Sequence, residues 1–188
     1  QYFHDTYTPI TSTTFDAARL SAALTKKAAI ELITADAESA YALCRPPGHH
    51  AGSEYAMGYC YLNNAAVAAI ELVQRGRVAI LDIDYHHGNG TQEYFYSSDR
   101  VLFASIHAHP AYKFPYVSGY SFERGVGVGY GFNYNQPLLP SATRTEYFTA
   151  LDETLRIISD YNPRYLVVSL GVDTHIADPV GGFALELT

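Results

Sequence analysis

The sequence predicts a single α/β domain, residues 1–188, built on an open parallel sheet that is flanked by helices. Three short apolar runs rich in β-branched residues have the composition of strands covered on both faces; they are 78–83, 101–106 and 165–170. Segments with a helical apolar period lie between and before them. Strands that alternate with helices form open α/β sheets, and no low-complexity linker divides this chain, 48% of which is apolar.

Three helices are predicted in the order of the chain. The first covers residues 14–33 with alanine-rich faces, and the second covers 63–74. The third covers 143–161, where Thr143 is followed three residues later by Glu146. This is the spacing of a capping box, in which each of the two side chains satisfies a main-chain N–H of the other residue.

The segment 107–140 differs from the rest of the chain. It is rich in Gly, Tyr, Phe and Pro and has no helical period, so we predict a long ordered loop that includes at most one strand. Loops of this length inside a domain are usually functional.

Composition narrows the classes of partner. Twelve basic and nineteen acidic residues give a net charge of -7, which argues against a nucleic-acid surface and favours cationic partners. The sequence contains neither a signal-peptide pattern at its start nor an apolar run of eighteen residues, so we expect no membrane span. Cys44 and Cys60 have no CxxC partner and are expected to be reduced thiols in a cytoplasmic protein.

Residue types that bind metals follow two of the predicted strands. Asp84 and His86 follow the first strand, and Asp173 follows the third. Ligands of open α/β sheets collect at the carboxyl ends of strands, and side chains two positions apart point the same way in extended chain. Two carboxylates and an imidazole, with a fourth position open to water, predict a catalytic zinc site that iron or cobalt also fits. The alternative for Asp-x-Asp-x-His alone is a solvated turn with a capping aspartate.

A second cluster consists of His49 and His50, which follow a stiff Pro-Pro-Gly turn. Amide hydrolysis needs a base that activates water and an acid that protonates the departing amine. Histidine, with an ordinary pKa of about 6.5, serves both purposes at neutral pH. The alternative is a pair of loop histidines held by main-chain carbonyls.

Four segments together resemble the successive signatures of the histone deacetylase and acetylpolyamine amidohydrolase superfamily, in the same order; they are 45–52, 58–65, 81–91 and 170–179. The run Asp-Ile-Asp-Tyr-His-His-Gly-Asn-Gly-Thr-Gln and the loop 114–120 are more similar to the bacterial acetylpolyamine amidohydrolases than to the histone enzymes. The resemblance covers residues 14–188 and implies an arginase-like fold, here incomplete, with zinc at the base of a narrow channel.

Carried over by position, the resemblance assigns Asp84, His86 and Asp173 to one zinc ion and matches His49 and His50 with the catalytic histidine pair. Tyr59 and Phe114 match the aromatic walls of the substrate channel, where an aliphatic chain between two rings is desolvated. The remaining histidines near these motifs are expected to be structural: His87, His107, His109 and His175.

The resemblance also implies residues behind the histidines. Asp82 accepts a hydrogen bond from His49 and contributes to a buried site for a monovalent cation such as K⁺. The other ligands implied for that cation are main-chain oxygens of Asp84, His86 and Ile106 and the Ser105 hydroxyl, and a second cation site lies near Phe95, Ser98 and Val101. Asn89 stands where the histone enzymes have an aspartate. Since an amide cannot stabilise an imidazolium as a carboxylate does, we expect His50 to be the more readily neutral of the pair.

The implied activity is zinc-dependent hydrolysis of acetylpolyamines or similar acetylated amines to acetate and free amine, with His50 moving the protons. A protein acetyl-lysine deacetylase is one alternative; a two-manganese arginase activity suits the tandem histidines and single-metal ligand set less well. The family's oxyanion tyrosine lies beyond Asp173, and its first strand lies before Gln1, so we expect a chain truncated at both ends. Loss of one oxyanion donor costs about a hundred- to a thousand-fold in turnover, so a non-catalytic metal-binding fragment is the other alternative. Exposed sheet edges would favour a homo-oligomer.

Overall fold

A parallel sheet of four strands with helices on both faces forms the centre of the computed structural model, which describes residues 2–3, 5–34 and 37–186. The strands are β1 (Tyr2–Phe3), β2 (Tyr55–Ala56), β3 (Val78–Asp82), β4 (Val101–Ala108), β5 (Asn133–Leu138) and β6 (Tyr165–Ser169). The helices are α1 (Thr14–Thr34), α2 (Asn64–Leu72), α3 (Asn89–Phe95) and α4 (Arg144–Tyr161), with a short 3₁₀ helix at Gly127–Gly129.

The order of strands in the sheet is β5-β4-β3-β6, and every neighbouring pair is parallel. The chain therefore builds the sheet outward from β3 to β5, and then α4 returns it to the other side of β3. Such a reversal of direction is a switch point, at which a crevice opens beyond the carboxyl ends of the two strands. In this chain the crevice lies beyond β3 and β6.

The core consists of two layers, one on each face of the sheet. Val78 and Ile80 of β3 pack with α1 and α2, whereas Ala79 and Leu81 pack with Ile158 of α4. Every residue of β3 and β4 is buried. Full burial of a branched apolar side chain stabilises a fold by about 1.5–3 kcal/mol, so these two strands form the rigid base on which the polar residues stand.

The three predicted helices are present. Asn63 is the N-cap of α2, and its side chain accepts a hydrogen bond from the Ala66 N–H at 2.9 Å. Thr143 and Glu146 form the predicted capping box at the start of α4. The helix ends at Tyr161, and its C-cap is Asn162, a residue type that tolerates the left-handed conformation seen there, with φ of 52°.

Three details differ from the sequence predictions. The third apolar run is covered on one face only: Val167 packs against the layer of α1 and α2, whereas Leu166 and Val168, which point to the other face, are 45% and 46% exposed. The helix α3 was not predicted, because its seven residues are too few to show an apolar period. Strand β4 continues through His107 to Ala108, so the loop begins later than predicted, and it does contain one strand, β5.

A buried polar network ties the loop between β4 and β5 to the sheet. The Gln92 side-chain oxygen accepts hydrogen bonds from the amides of Asn133 and Asn135, at 2.9 and 2.8 Å. The Glu123 carboxylate accepts one from the Gly119 N–H at 2.7 Å and another from Gln92 at 3.1 Å. The loop is therefore ordered, as predicted, and polar contacts rather than an apolar core hold it.

Both cysteines are free thiols, as predicted: Cys44 is partly exposed and Cys60 is buried. Burial raises the pKa of the Cys60 thiol, which donates to the Gly58 carbonyl at 3.3 Å, so this sulfur is unreactive. None of the helices in the described part of the chain is long and apolar enough to cross a membrane.

Candidate metal centre and histidine pair

The three predicted metal ligands meet in the crevice at the switch point. Asp84 and His86 follow β3, and Asp173 follows β6; one ligand atom of each lies within 4.8 Å of the other two. The His86 Nδ1 atom is 2.8 Å from the Asp173 carboxylate and 3.4 Å from that of Asp84. The sheet order thus brings together residues that are far apart in the chain.

Main-chain contacts hold both carboxylates in place. The Tyr85 N–H donates to Asp173 at 2.9 Å, and the His86 N–H donates to Asp84 at 2.8 Å. Gly171 leaves the space that Asp84 needs, because a Cβ atom there would collide with the carboxylate. The three ligand side chains are 16–21% exposed, so an ion and a water molecule can reach them. Two carboxylates and an imidazole arranged in this way fit a metal ion with an open position.

The histidine pair lies beside this group, and each ring has its own partner. His49 Nδ1 is 3.0 Å from the Asp82 carboxylate, and His50 Nδ1 is 2.7 Å from the Asn89 side-chain oxygen. The ring centroids are 4.0 Å apart, and His49 Nε2 lies 3.8 Å from Asp84 Oδ1. Both histidines are buried, as are Asp82 and Asn89.

The surroundings move the pKa values of the two imidazoles in opposite directions. Burial alone would lower the pKa of His49, but the nearby Asp82 and Asp84 carboxylates outweigh it and raise that pKa to about 9. Burial, together with the positive charge of His49, lowers the pKa of His50 well below its ordinary value. At neutral pH one ring is therefore protonated and the other neutral, as expected for His50, and pairs separated in this way suit acid and base roles.

Phe114 lies beside His50 and His86, and its role as a channel wall stays a prediction. Its ring meets His50 edge-on with centroids 4.8 Å apart and is 6.3 Å from His86.

Tyr59 is 51% exposed and follows Gly58, where a Cβ atom would collide with the His50 ring. Gly58 has φ of 57°, a conformation that glycine adopts without strain. Tyr59 is therefore the neighbour in sequence of a residue that lies against the His50 ring. Its role as a wall of the substrate channel stays a prediction.

Three of the residues predicted to bind a monovalent cation lie on adjacent strands, and the other two, Asp84 and His86, follow β3. Asp82 and Ser105 are register partners in β3 and β4, and both are fully buried. The Ser105 hydroxyl is 2.7 Å from His107 Nδ1, and the Asp82 carboxylate accepts a hydrogen bond from the Asp84 N–H at 3.2 Å. Ile106 follows Ser105 in β4 and is also buried. The cation itself stays a prediction, and so does the second site near Phe95, Ser98 and Val101.

The remaining histidines have structural contacts. His87 and His107 are fully buried, with ring centroids 4.5 Å apart, and His107 Nε2 is 2.8 Å from the Gly119 carbonyl. The Nδ1 atoms of His109 and His175 each accept a main-chain N–H two residues later in the chain. The structural role expected for all four stays a prediction.

One contact of the site was missed from the sequence. The Asn89 side-chain nitrogen lies 3.0 Å from the Tyr55 hydroxyl, and Tyr55 belongs to the two-residue strand β2. No spacing in the sequence relates these two residues, so only the folded chain reveals the contact.

The fold and the site together define an α/β protein with a candidate metal centre at the carboxyl edge of its sheet. Comparison of the sequence with protein families matches residues 1–188 to the histone deacetylase domain. The chain belongs to the histone deacetylase domain family.

Individual relatives agree with this assignment. Acetylpolyamine amidohydrolase 1 of Pseudomonas aeruginosa is 50% identical over 187 residues, which is 98% of this chain and 54% of that protein. Histone deacetylase 15 of Arabidopsis thaliana is 40% identical over 88% of this chain and 31% of that protein. The crystal structure of acetylpolyamine aminohydrolase from Burkholderia pseudomallei superposes with a TM-score of 0.94 at 44% identity, covering 97% of this chain and 54% of that one. The chain spans about half the length of the acetylpolyamine amidohydrolases it matches.

Proposed function

We propose that this chain supplies the metal centre and the proton-transfer residues of an amidohydrolase that removes acetyl groups from acetylpolyamines or similar small acetylated amines. The products are acetate and the free amine. The observation that carries the proposal is the 50% identity to acetylpolyamine amidohydrolase 1 over 98% of the chain. The converging Asp84, His86 and Asp173 side chains and the adjacent histidine pair support it.

Zinc is the metal we propose, held by Asp84, His86 and Asp173, because two oxygens and one nitrogen with an open position suit it. A zinc ion there supplies Lewis acidity, which favours the addition of water to an amide carbonyl. We also propose a structural K⁺ ion near the buried Asp82 and Ser105 side chains, on the ground of the resemblance to the histone deacetylase family.

The histidines divide the proton transfers in this proposal. His50 is neutral because its pKa is low, so it accepts a proton from the attacking water and later passes one to the departing amine. His49 is protonated and paired with Asp82, so its positive charge stabilises the negative charge that develops on the acetyl oxygen. Phe114 excludes water from the face of His50 that it covers.

A small cationic substrate suits the chain as a whole. The net charge of -7 attracts polyamines, which keep at least one ammonium group after acetylation. A protein acetyl-lysine substrate is the second candidate, supported by the 40% identity to histone deacetylase 15.

We propose in addition a cytoplasmic location, supported by the two free thiols, and a homo-oligomer, supported by the exposed apolar side chains of the edge strand β6.

The test is deacetylation of acetylspermidine, acetylputrescine and an acetyl-lysine peptide in the presence of zinc, with bound zinc measured in each sample. We expect turnover of the small amines, lost in both Asp84→Ala and His50→Ala and retained in Asp152→Ala, which removes an exposed carboxylate of α4. Preference for the peptide would favour the second candidate. Zinc binding without turnover of any substrate would contradict the proposed activity for this chain.

A further inference from the structure

A chain of hydrogen bonds runs from the buried His50 to the protein surface. His50 Nδ1 is 2.7 Å from the Asn89 side-chain oxygen, and the Asn89 side-chain nitrogen is 3.0 Å from the Tyr55 hydroxyl. The Tyr55 hydroxyl is in turn hydrogen-bonded to the carboxylate of Glu93, an exposed residue of α3. The four side chains come from two short segments of the chain, 50–55 and 89–93.

The packing around this relay is tight. The Tyr55 ring and the Glu93 carboxylate both lie against Gly52, where any Cβ atom would collide with them. The Glu93 Oε1 atom also accepts hydrogen bonds from the Ser53 N–H at 3.0 Å and from the Ser53 hydroxyl at 2.6 Å. Burial opposes ionisation of Glu93, but these bonds outweigh it and hold the pKa of the carboxyl below its ordinary value.

The charge at the outer end determines the direction of every bond in the relay. An ionised carboxylate only accepts hydrogen bonds, so the Tyr55 hydroxyl must donate its proton to Glu93. The Tyr55 oxygen then accepts, which requires the NH₂ end of the Asn89 amide to face it. The carbonyl end of Asn89 therefore faces His50, and a carbonyl oxygen can pair only with a ring nitrogen that carries a proton.

We propose that Tyr55 and Glu93 are positioning residues that lock the Asn89 amide in one orientation and thereby hold neutral His50 in the tautomer protonated on Nδ1. The Nε2 lone pair is then free to accept a proton. Without the relay, only two longer contacts of the Asn89 NH₂ group favour this orientation, 3.4 Å to the His50 carbonyl and 3.4 Å to the Met57 sulfur. The amide is then less strongly fixed, because its oxygen and NH₂ group are similar in size. The inference deepens the proposed function and rests on it for the role of His50 as a base.

The tautomer can be measured without turnover. Two-bond ¹H–¹⁵N spectra of the zinc-loaded chain, labelled with ¹⁵N-histidine, distinguish the two neutral tautomers, and His50→Ala identifies the His50 signals. We expect the Nδ1-protonated form in the unmodified chain. In Glu93→Gln the new NH₂ group can donate to Tyr55, which allows the relay to reverse and raises the fraction of the Nε2-protonated form. Tyr55→Phe removes the acceptor of the Asn89 NH₂ group and should give a mixture.

Kinetics provide the second readout. If about one-tenth of His50 remains in the Nδ1-protonated form, kcat falls about tenfold in Glu93→Gln, while KM and zinc content stay unchanged because no ligand or channel residue is altered. Tyr94→Phe is the matched control, because it also removes one hydroxyl, from the residue next to Glu93. The Tyr94 hydroxyl donates to the Gly52 carbonyl at 3.3 Å and lies outside the relay. It should change neither readout.

The two proposals fail separately. A tautomer that responds to Glu93→Gln in a chain with no turnover would support the positioning role and contradict the proposed activity. A tautomer that stays Nδ1-protonated in both Glu93→Gln and Tyr55→Phe, in chains whose circular dichroism matches that of the unmodified chain, would overturn the positioning role. Because Glu93 is exposed, its amide variant is expected to fold even if Tyr55→Phe does not.

Discussion

Replacing Asp173 with asparagine is expected to remove most of the stability that zinc gives to the folded chain. Asp173 is one of three ligands whose atoms lie within 4.8 Å of one another, and it is the only one of them that follows β6. Unfolding separates β6 from β3, so the complete ligand set exists only in the native state. An ion that binds only the native state stabilises it by mass action.

The size of the effect follows from the zinc concentration. At about 100 times Kd, binding stabilises the chain by about 2.7 kcal/mol, which raises the Tm of a protein of this length by about 5–11 °C. If the loss of one charged ligand weakens zinc binding about 100-fold, the same zinc concentration is equal to the Kd of the Asp173→Asn variant. The gain then falls to about 0.4 kcal/mol, or about 1–2 °C.

The assay is thermal unfolding with increasing zinc, compared with the same chain in chelator. Asp152→Asn, an exposed change of the same type on α4, should keep the full shift. A zinc-dependent rise in Tm that is equal in Asp173→Asn and the unmodified chain would refute the assignment of Asp173 as a ligand.

Three further predictions concern stability. In the metal-free chain nearby carboxylates outweigh burial and raise the pKa values of both His49 and His86 to about 9, so their ion pairs stabilise the fold fully below the unfolded pKa of 6.5. Urea unfolding should therefore show a loss of a few kcal/mol as pH rises from about 6.5 to 9, and Asp82→Asn should reduce that slope. Glu123→Ala leaves buried donors of the loop without an acceptor and should lower the free energy of unfolding by about 1–3 kcal/mol, whereas Asp152→Ala should change it by less than about 0.5 kcal/mol. Thr143→Ala removes the cap of α4 and should cost about 1 kcal/mol; an unchanged urea midpoint would contradict the capping role.

The local features of the fold were accessible from the sequence because they depend on neighbouring residues. The run 78–83 is apolar and rich in β-branched residues, which is typical of a buried strand, and Thr143 forms its capping box with Glu146 within a single helical turn. The helix α3 was missed for a related reason. Its first four residues, Asn89 to Gln92, are buried although none of them is a large apolar residue, so burial there is polar and leaves no apolar period.

The exposure of β6 was predicted wrongly because it depends on position in the sheet. The runs 78–83 and 165–170 have similar compositions, but β3 has a neighbour on each side, whereas β6 pairs with β3 alone among the described strands. In addition, only the face of β6 that carries Val167 packs against the core, so Leu166 and Val168 on the opposite face remain half exposed. Composition indicates that a segment forms a strand, but it does not reveal how many strands lie beside it.

The sequence by itself determined which residue types could act, namely the carboxylates and imidazoles after β3 and the histidine pair after a rigid turn. Only the tertiary structure decided which of them meet. The reversal of strand order places Asp173 beside His86 at 2.8 Å, and the packing around Gly52 brings Tyr55 to Asn89 at 3.0 Å. The physical reason is that side-chain chemistry belongs to the residue, whereas distances between remote residues depend on how the whole chain packs.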